Sequence, residues 1–201
     1  MRFPPQFACL LIFTFLPAIL LAQSTVYTAS DGVVLLSNKP GCYYTLDIPG
    51  RSVRPAGMDS SPNPIFSADG KFLQVITVPG DEFHGNPKMS DEDFLRSHLS
   101  YEAGHHKLAS ADIKVEVTSI AKGQTALFWS FVPPIPQAKE QVFLTFRSRD
   151  HVLILGSAID PPQTRKEIRA FLIKTASSFH RSTTPMTLQF SNDGSYTRKS
   201  K

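Results

Sequence analysis

The chain has only two cysteines, Cys9 and Cys42, and a single tryptophan, Trp129, among 201 residues. So few thiols exclude a disulfide-stapled scaffold and a cysteine-rich zinc module, which need several cysteines at short spacing. A strong excess of one charge is also missing. Lys and Arg number 21 against 17 Asp and Glu, and the signs are interleaved except at the C-terminus. That balance lacks the dense basic stripe of a nucleic-acid partner surface. There is no Gly-x-Ser-x-Gly elbow, no glycine-rich phosphate loop and no His-Glu-x-x-His pair, so serine-hydrolase, P-loop and zincin chemistry have no local signature. No internal repeat is visible.

What is present begins at the N-terminus. Arg2 supplies one positive charge, and an uncharged apolar stretch runs from Phe7 to Ala22. A basic start, an apolar middle and a small residue at the cut are the order of a secretory signal peptide. The stretch is shorter than the ~20 residues of a spanning helix, and Pro17 interrupts it. Residues 1–22 are therefore expected to be a signal peptide and the product to be exported, periplasmic or extracellular, with no transmembrane segment after cleavage. Cys9 leaves with it. Cys42 then has no intramolecular partner, and its setting in Gly41-Cys42-Tyr43-Tyr44-Thr45-Leu46 predicts a buried, inert thiol on a strand.

Residues 23–182 are expected to form one domain, with 183–201 a polar, mobile tail. One or two strands fall in 24–48. The prolines Pro49, Pro55, Pro62 and Pro64, with Gly50 and Gly57, predict a long surface loop. Asp69-Gly70 is the tight turn of a hairpin that returns through Phe72, Leu73, Val75, Ile76 and Val78. Ser90 caps a first helix whose opening Asp91, Glu92 and Asp93 suit the positive end of its dipole, and which stops at Gly104. Four strands follow without an intervening helix, at 113–118, 126–132, 141–147 and 152–159. Short turns make them antiparallel neighbours. In the closing segment, Asp160 is placed as N-cap and Pro161 at the first helical position. Ile168, Phe171, Leu172, Thr175 and Phe179 then make one apolar stripe, and Arg165, Lys166, Arg169 and Lys174 make a solvated basic face.

The fold class is thus α+β, an antiparallel sheet flanked by two main helices. The segment Gly70-Lys71-Phe72-Leu73-Gln74-Val75-Ile76, the helix opened by Ser90-Asp91-Glu92-Asp93-Phe94 and the helix between Asp160 and Phe179 resemble the PsbP-like α/β/α sandwich over about residues 30–180. Members of that superfamily act as binding or accessory modules and share no catalytic site. The resemblance therefore implies a module of that kind and assigns no functional residue.

Four histidines, His84, His98, His105 and His106, fall near Asp91, Asp93 and Glu102. Imidazole and carboxylate suit zinc or copper. No His-x-x-x-His pair exists, however, and His105-His106 reads first as a cationic helix end. The aromatic residues read first as strand core, with a ligand cavity as the alternative. No catalytic, cofactor-binding or metal residue is assigned, and no cofactor is expected. The expected function is that of an exported, non-enzymatic accessory or binding module of the cell envelope. Its partner would be an envelope protein or a small apolar ligand, with no nucleic acid. The alternatives are a hydrolase-type enzyme with a site assembled across the sheet edge, and a histidine-based metal-handling protein.

The signal-peptide reading predicts a mature chain starting near Gln23. N-terminal sequencing of the exported protein checks it, and an intact Met1 on a membrane-embedded product would contradict it.

Overall fold

A computed structural model describes residues 24–56, 63–108, 112–134 and 137–200. The expected signal peptide, with Cys9, lies outside the described residues, as do Gly57, Pro62 and Pro136. The α+β expectation is met, and the strands divide over more than one sheet. The first is β1 (Ser24–Ala29), β2 (Gly32–Lys39) and β3 (Cys42–Pro49), an antiparallel meander, where one or two strands were expected. The proline-rich loop contains one short strand, β4 (Val53–Pro55), paired with β5 (Ile65–Ala68). Asp69 and Gly70, at φ 48° and 76°, turn β5 into β6 (Lys71–Pro79). Positive φ at both central residues matches the right-handed twist of the flanking strands.

The four later strands are β7 (Lys114–Ser119), β8 (Thr125–Phe131), β9 (Gln141–Ser148) and β10 (His151–Ala158). They join β4, β5 and β6 in a seven-stranded antiparallel sheet of order β4-β5-β6-β10-β9-β8-β7. Its central strand, β10, is buried from His151 to Ser157. Side chains alternate between the faces of a strand, so β10 needs cover on both.

One face receives that cover from the second helix and the small sheet together. Leu153 and Leu155 of β10, Val142, Leu144 and Phe146 of β9, and Leu73 and Val75 of β6 join Leu35, Leu46 and Ile48 of the small sheet in one core. The helix α2 (Arg165–Ser177) contributes Ile168, Phe171, Leu172 and Ala176 to it. The expected stripe is therefore the packed one. The expected start is corrected. Thr164 is the N-cap, in a reciprocal capping box with Glu167, and Asp160 instead pairs with Lys139 at 2.6 Å. The physical reason is Pro162. A residue before proline is pushed out of the helical region, so Pro161 cannot open a helix there. The Thr-x-x-Glu signature lies four residues on.

The basic face of α2 also differs from a solvated one. Arg165 and Arg169 lie over the Phe128 ring at 5.1 and 5.6 Å. Arg165 pairs with Glu140, and Arg169 reaches Glu116 at 2.6 Å. Lys166 and Lys174 are exposed.

The largest correction concerns residues 183–201. After β11 (His180–Ser182) extends the small sheet beside β3, the chain forms a hairpin of β12 (Met186–Phe190) and β13 (Tyr196–Ser200). Polar composition hid its anchors. Met186 is buried, and the Asn38 amide brackets its backbone, donating to Met186 O and accepting from Met186 N. The Tyr196 hydroxyl donates to Asp47, and Arg198 donates to Thr45 Oγ1 and to the Tyr196 oxygen, both at 2.7 Å. Phe190 packs between Tyr27 and Tyr196 at 5.4 and 5.6 Å.

Phe171 is buried under α2, so Phe171→Ala is expected to cost about 3–5 kcal/mol through lost transfer energy and a cavity. The exposed Lys174→Ala should change stability by no more than about 0.5 kcal/mol. Denaturant unfolding of both variants checks the assignment. Equal, small losses would mean that the helix does not pack on the sheet.

Candidate functional site

The opposite face of the seven-stranded sheet has one helix. Ser90 Oγ accepts from Asp93 N and opens α1 (Asp91–His105), which agrees with the expected cap and runs one residue past the expected stop. Phe94 and Leu95 pack with Leu127, Trp129 and Val152 in a second core. Arg147, at the end of β9, fixes this N-terminal end. Its guanidinium donates to Met89 O at 2.8 Å and Pro87 O at 2.9 Å, lies 3.3 Å from Asp91 and stacks over Phe94 at 4.1 Å. The helix then lies along β8 and β9. Val152 and Ile154 of β10 and Val78 of β6 are buried in the core that Phe94 and Leu95 join; among the described residues, the strip left without close helical cover is the Gln74–Gly156 end of β6 and β10.

The register shows what that strip presents. Gln74, Gly156, Phe143, Trp129 and Val115 are consecutive partners across β6, β10, β9, β8 and β7. Gly156 is the reason this row holds stacked rings. A Cβ there would meet the Phe143 ring at 3.3 Å, so glycine lets the aromatic ring lie down over its cross-strand partner, a known way to pack a strand glycine. Phe143 stacks on Trp129 with centroids 4.2 Å apart and an interplanar angle of 19°. Phe131 continues the series at 5.9 Å from Phe143.

Around this row is a cleft of about 390 Å³, bounded by Phe72, Ile76, Phe131 and Ile154, with Pro133 and Pro134 at one end. Phe72 is 40% exposed, unusual for a phenylalanine on a sheet face. Gln74, Gln141 and Ser157 supply neutral polar groups, and Glu102 and His106 stand at its edge from the last turn of α1. Trp129 is 1% exposed, and its Nε1 finds no hydrogen-bond acceptor among the described residues.

The four histidines are not brought to one point. His84 ends a short 3-10 turn in the left-handed region, at φ 59°. His98 is buried edge-on to Phe83, at 5.2 Å. His105 stacks on Tyr101, and His106 packs against Phe131. Two of them converge on Glu102: His98 Nε2 lies 3.2 Å from Oε1 and His106 Nε2 lies 3.6 Å from Oε2. The His98 contact is one of proximity, since neither ring nitrogen meets hydrogen-bond geometry. Burial acts to raise the Glu102 carboxyl. Interactions with His98, His106 and His105 outweigh it and hold the group below the ordinary glutamate value. Among the described residues, no group of three or more His, Cys, Asp or Glu is placed to hold a metal.

Two other hollows stand out among the described residues. One, of about 760 Å³, lies between the β12–β13 hairpin and the β2–β3 edge. Several of its polar groups are already paired, Asp47 with Tyr196 and Arg198, and Asp69 with the Arg51 and Ser52 amides. The other, of about 1000 Å³, is a shallow surface by Arg147, Arg149 and Arg181. The Arg147 donors are already bound there. The aromatic cleft differs from both in its apolar, ring-lined wall; of its polar groups, the Ser157 hydroxyl already donates to Phe72 O, and Glu102 lies against His98 and His106.

No family model matches the chain, and no curated protein matches it. Among solved structures, a crystal structure from Bacteroides thetaiotaomicron VPI-5482 is similar at 9% identity and a TM-score of 0.47, over 74% of this chain and 50% of that one. This chain thus spans about half the length of that relative. The solution structure of cyanobacterial PsbP (CyanoP) from Synechocystis sp. PCC 6803 is similar at 12% identity and a TM-score of 0.38, over 82% of this chain and 96% of that one. Likeness at these values is one of general layout and gives no residue a role. Among the described residues, no helix is long and apolar enough to cross a membrane.

Cys42 sits on β3 at 4% exposure, and burial pushes its thiol up to about 11. The thiolate is the reactive form, so the native protein should resist iodoacetamide at pH 8 and react fully once unfolded in guanidinium. Mass spectrometry reads both states. Rapid native labelling would contradict the placement of Cys42.

Proposed function

We propose that this protein is an exported, non-enzymatic binding module of the cell envelope, and that the aromatic cleft on the α1 side of the large sheet holds a small apolar ligand. The observation that supports this reading is the half-covered sheet face, where stacked rings line a cleft beside Gly156. Ligand sites are concave, mostly apolar and fitted with a few polar groups. The cleft has that character, with two glutamines and a serine set among phenylalanine, isoleucine and proline. Its volume of about 390 Å³ suits a one- or two-ring molecule. Among the described residues the lining is mainly aromatic and amide, with Glu102 and His106 at its edge, a set that suits binding of a small molecule. Export follows from the N-terminal reading and belongs to the same proposal.

The single tryptophan makes the test direct. Trp129 gives one indole N–H cross-peak in a ¹H–¹⁵N spectrum. Titration with 1-naphthalenemethanol should shift that peak to saturation. Gly156→Val, which inserts side-chain atoms against Phe143, should abolish the shift. Phe72→Ala, at a position 40% exposed, should weaken binding severalfold. No saturable shift in the native protein, or unchanged binding in both variants, would contradict the reading.

A further inference from the structure

The charge around the cleft narrows the class of its occupant. The protein as a whole carries a net charge of +4. Yet no lysine or arginine lines the cleft among the described residues, and its one carboxylate is Glu102. This carboxylate is 17% exposed and sits on the last turns of α1, within reach of the cleft. His106 shares its second oxygen from a half-exposed position, and His98 lies against the first from the buried side. Those contacts hold the carboxylate in the ionised form at neutral pH.

The aromatic residues add to the same sign. The face of a phenyl or indole ring is the negative end of its quadrupole, and it attracts cations and electron-poor rings. Phe143 and Phe131 line the cleft in nearly parallel planes, 10° apart. An anionic ligand would meet Glu102 and the electron-rich ring lining with unfavourable charge. A neutral ring would gain only the apolar contact. A ring carrying a protonated amine would gain the apolar contact, the ring-face attraction and the carboxylate.

We propose that the cleft selects small aromatic amines in their cationic form, with the ring against Phe143 and the ammonium directed to Glu102. This rests on the binding-module reading above and names the ligand class of the same site. Glu102 is the specificity-determining residue, and the aromatic row supplies the affinity common to neutral and charged ligands.

Three probes that share one ring separate the two claims. They are 1-naphthylmethylamine, 1-naphthalenemethanol and 1-naphthylacetate, each titrated at pH 7 while the Trp129 indole peak is followed. The expected order is amine, then alcohol, then carboxylate. The amine should bind about tenfold tighter than the alcohol, the factor that one charge-assisted contact supplies. Glu102→Gln should remove that advantage, and a saturable Trp129 peak shift with the alcohol in the variant shows that the cleft is still formed. If amine and alcohol bind equally to the native protein, the charge selection is overturned and the cleft reading stands. If the amine keeps its advantage in Glu102→Gln, the role of Glu102 is overturned. If none of the three binds, the cleft reading itself fails.

Discussion

The structure depends on one constraint. The central strand β10 is apolar on both faces, so the seven-stranded sheet has to be covered twice. The face toward α2 is covered by a helix and a second sheet, and its core extends from Val33 on β2 to Ala176 near the end of α2. The face toward α1 has a 15-residue helix and a short turn. At 1.5 Å per residue a helix of that length spans about 22 Å, and a single helix covers a strip about 10 Å wide. Strands are spaced about 4.8 Å apart, so that strip covers about two of them. The Gln74–Gly156 end of β6 and β10 is what this helix does not reach, and the aromatic cleft lies there.

Polar contacts decide where the helix lies within that limit. Arg147 holds the start of α1 at the end of β9 through four separate contacts. His106 holds the other end against Phe131. Because both ends are fixed over β8 and β9, sliding α1 across to cover the Gly156 end of β10 would strand the Arg147 guanidinium, which is 10% exposed. Leaving such a charged donor buried without acceptors is costly. The opening is thus maintained by the same contacts that stabilise the helix.

Elements with local signatures were legible in the sequence. The Asp69-Gly70 turn, the Ser90 cap, the four-strand run and the apolar stripe of α2 all follow from short-range patterns. The start of α2 was misplaced because Pro161 was weighed without Pro162, although Thr164 and Glu167 marked the true cap. The hairpin at 186–200 was missed for another reason. Its anchors, Asn38 to Met186 and Asp47 to Tyr196, join residues about 150 positions apart, and no local pattern contains them. The cleft was half legible. A glycine inside the apolar strand 152–159 signals a close approach, and Gly156 carries that signal. The partner ring, Phe143, is known only once the register is known. The histidines were grouped by sequence distance, while the helix and the turn before it point them to different neighbours.

The central claim is that the α1 face keeps an aromatic cleft at the Gln74–Gly156 end of β6 and β10 in solution. Hydroxyl-radical footprinting of the intact protein, read residue by residue by mass spectrometry, tests it most directly. Phe72 and Phe143 should be oxidised readily, while Phe94 and Phe146, both at 0% exposure, should be protected until the protein unfolds. Protection of Phe72 and Phe143 equal to that of Phe146 would mean that the face is closed, and the account of a half-covered sheet would be contradicted.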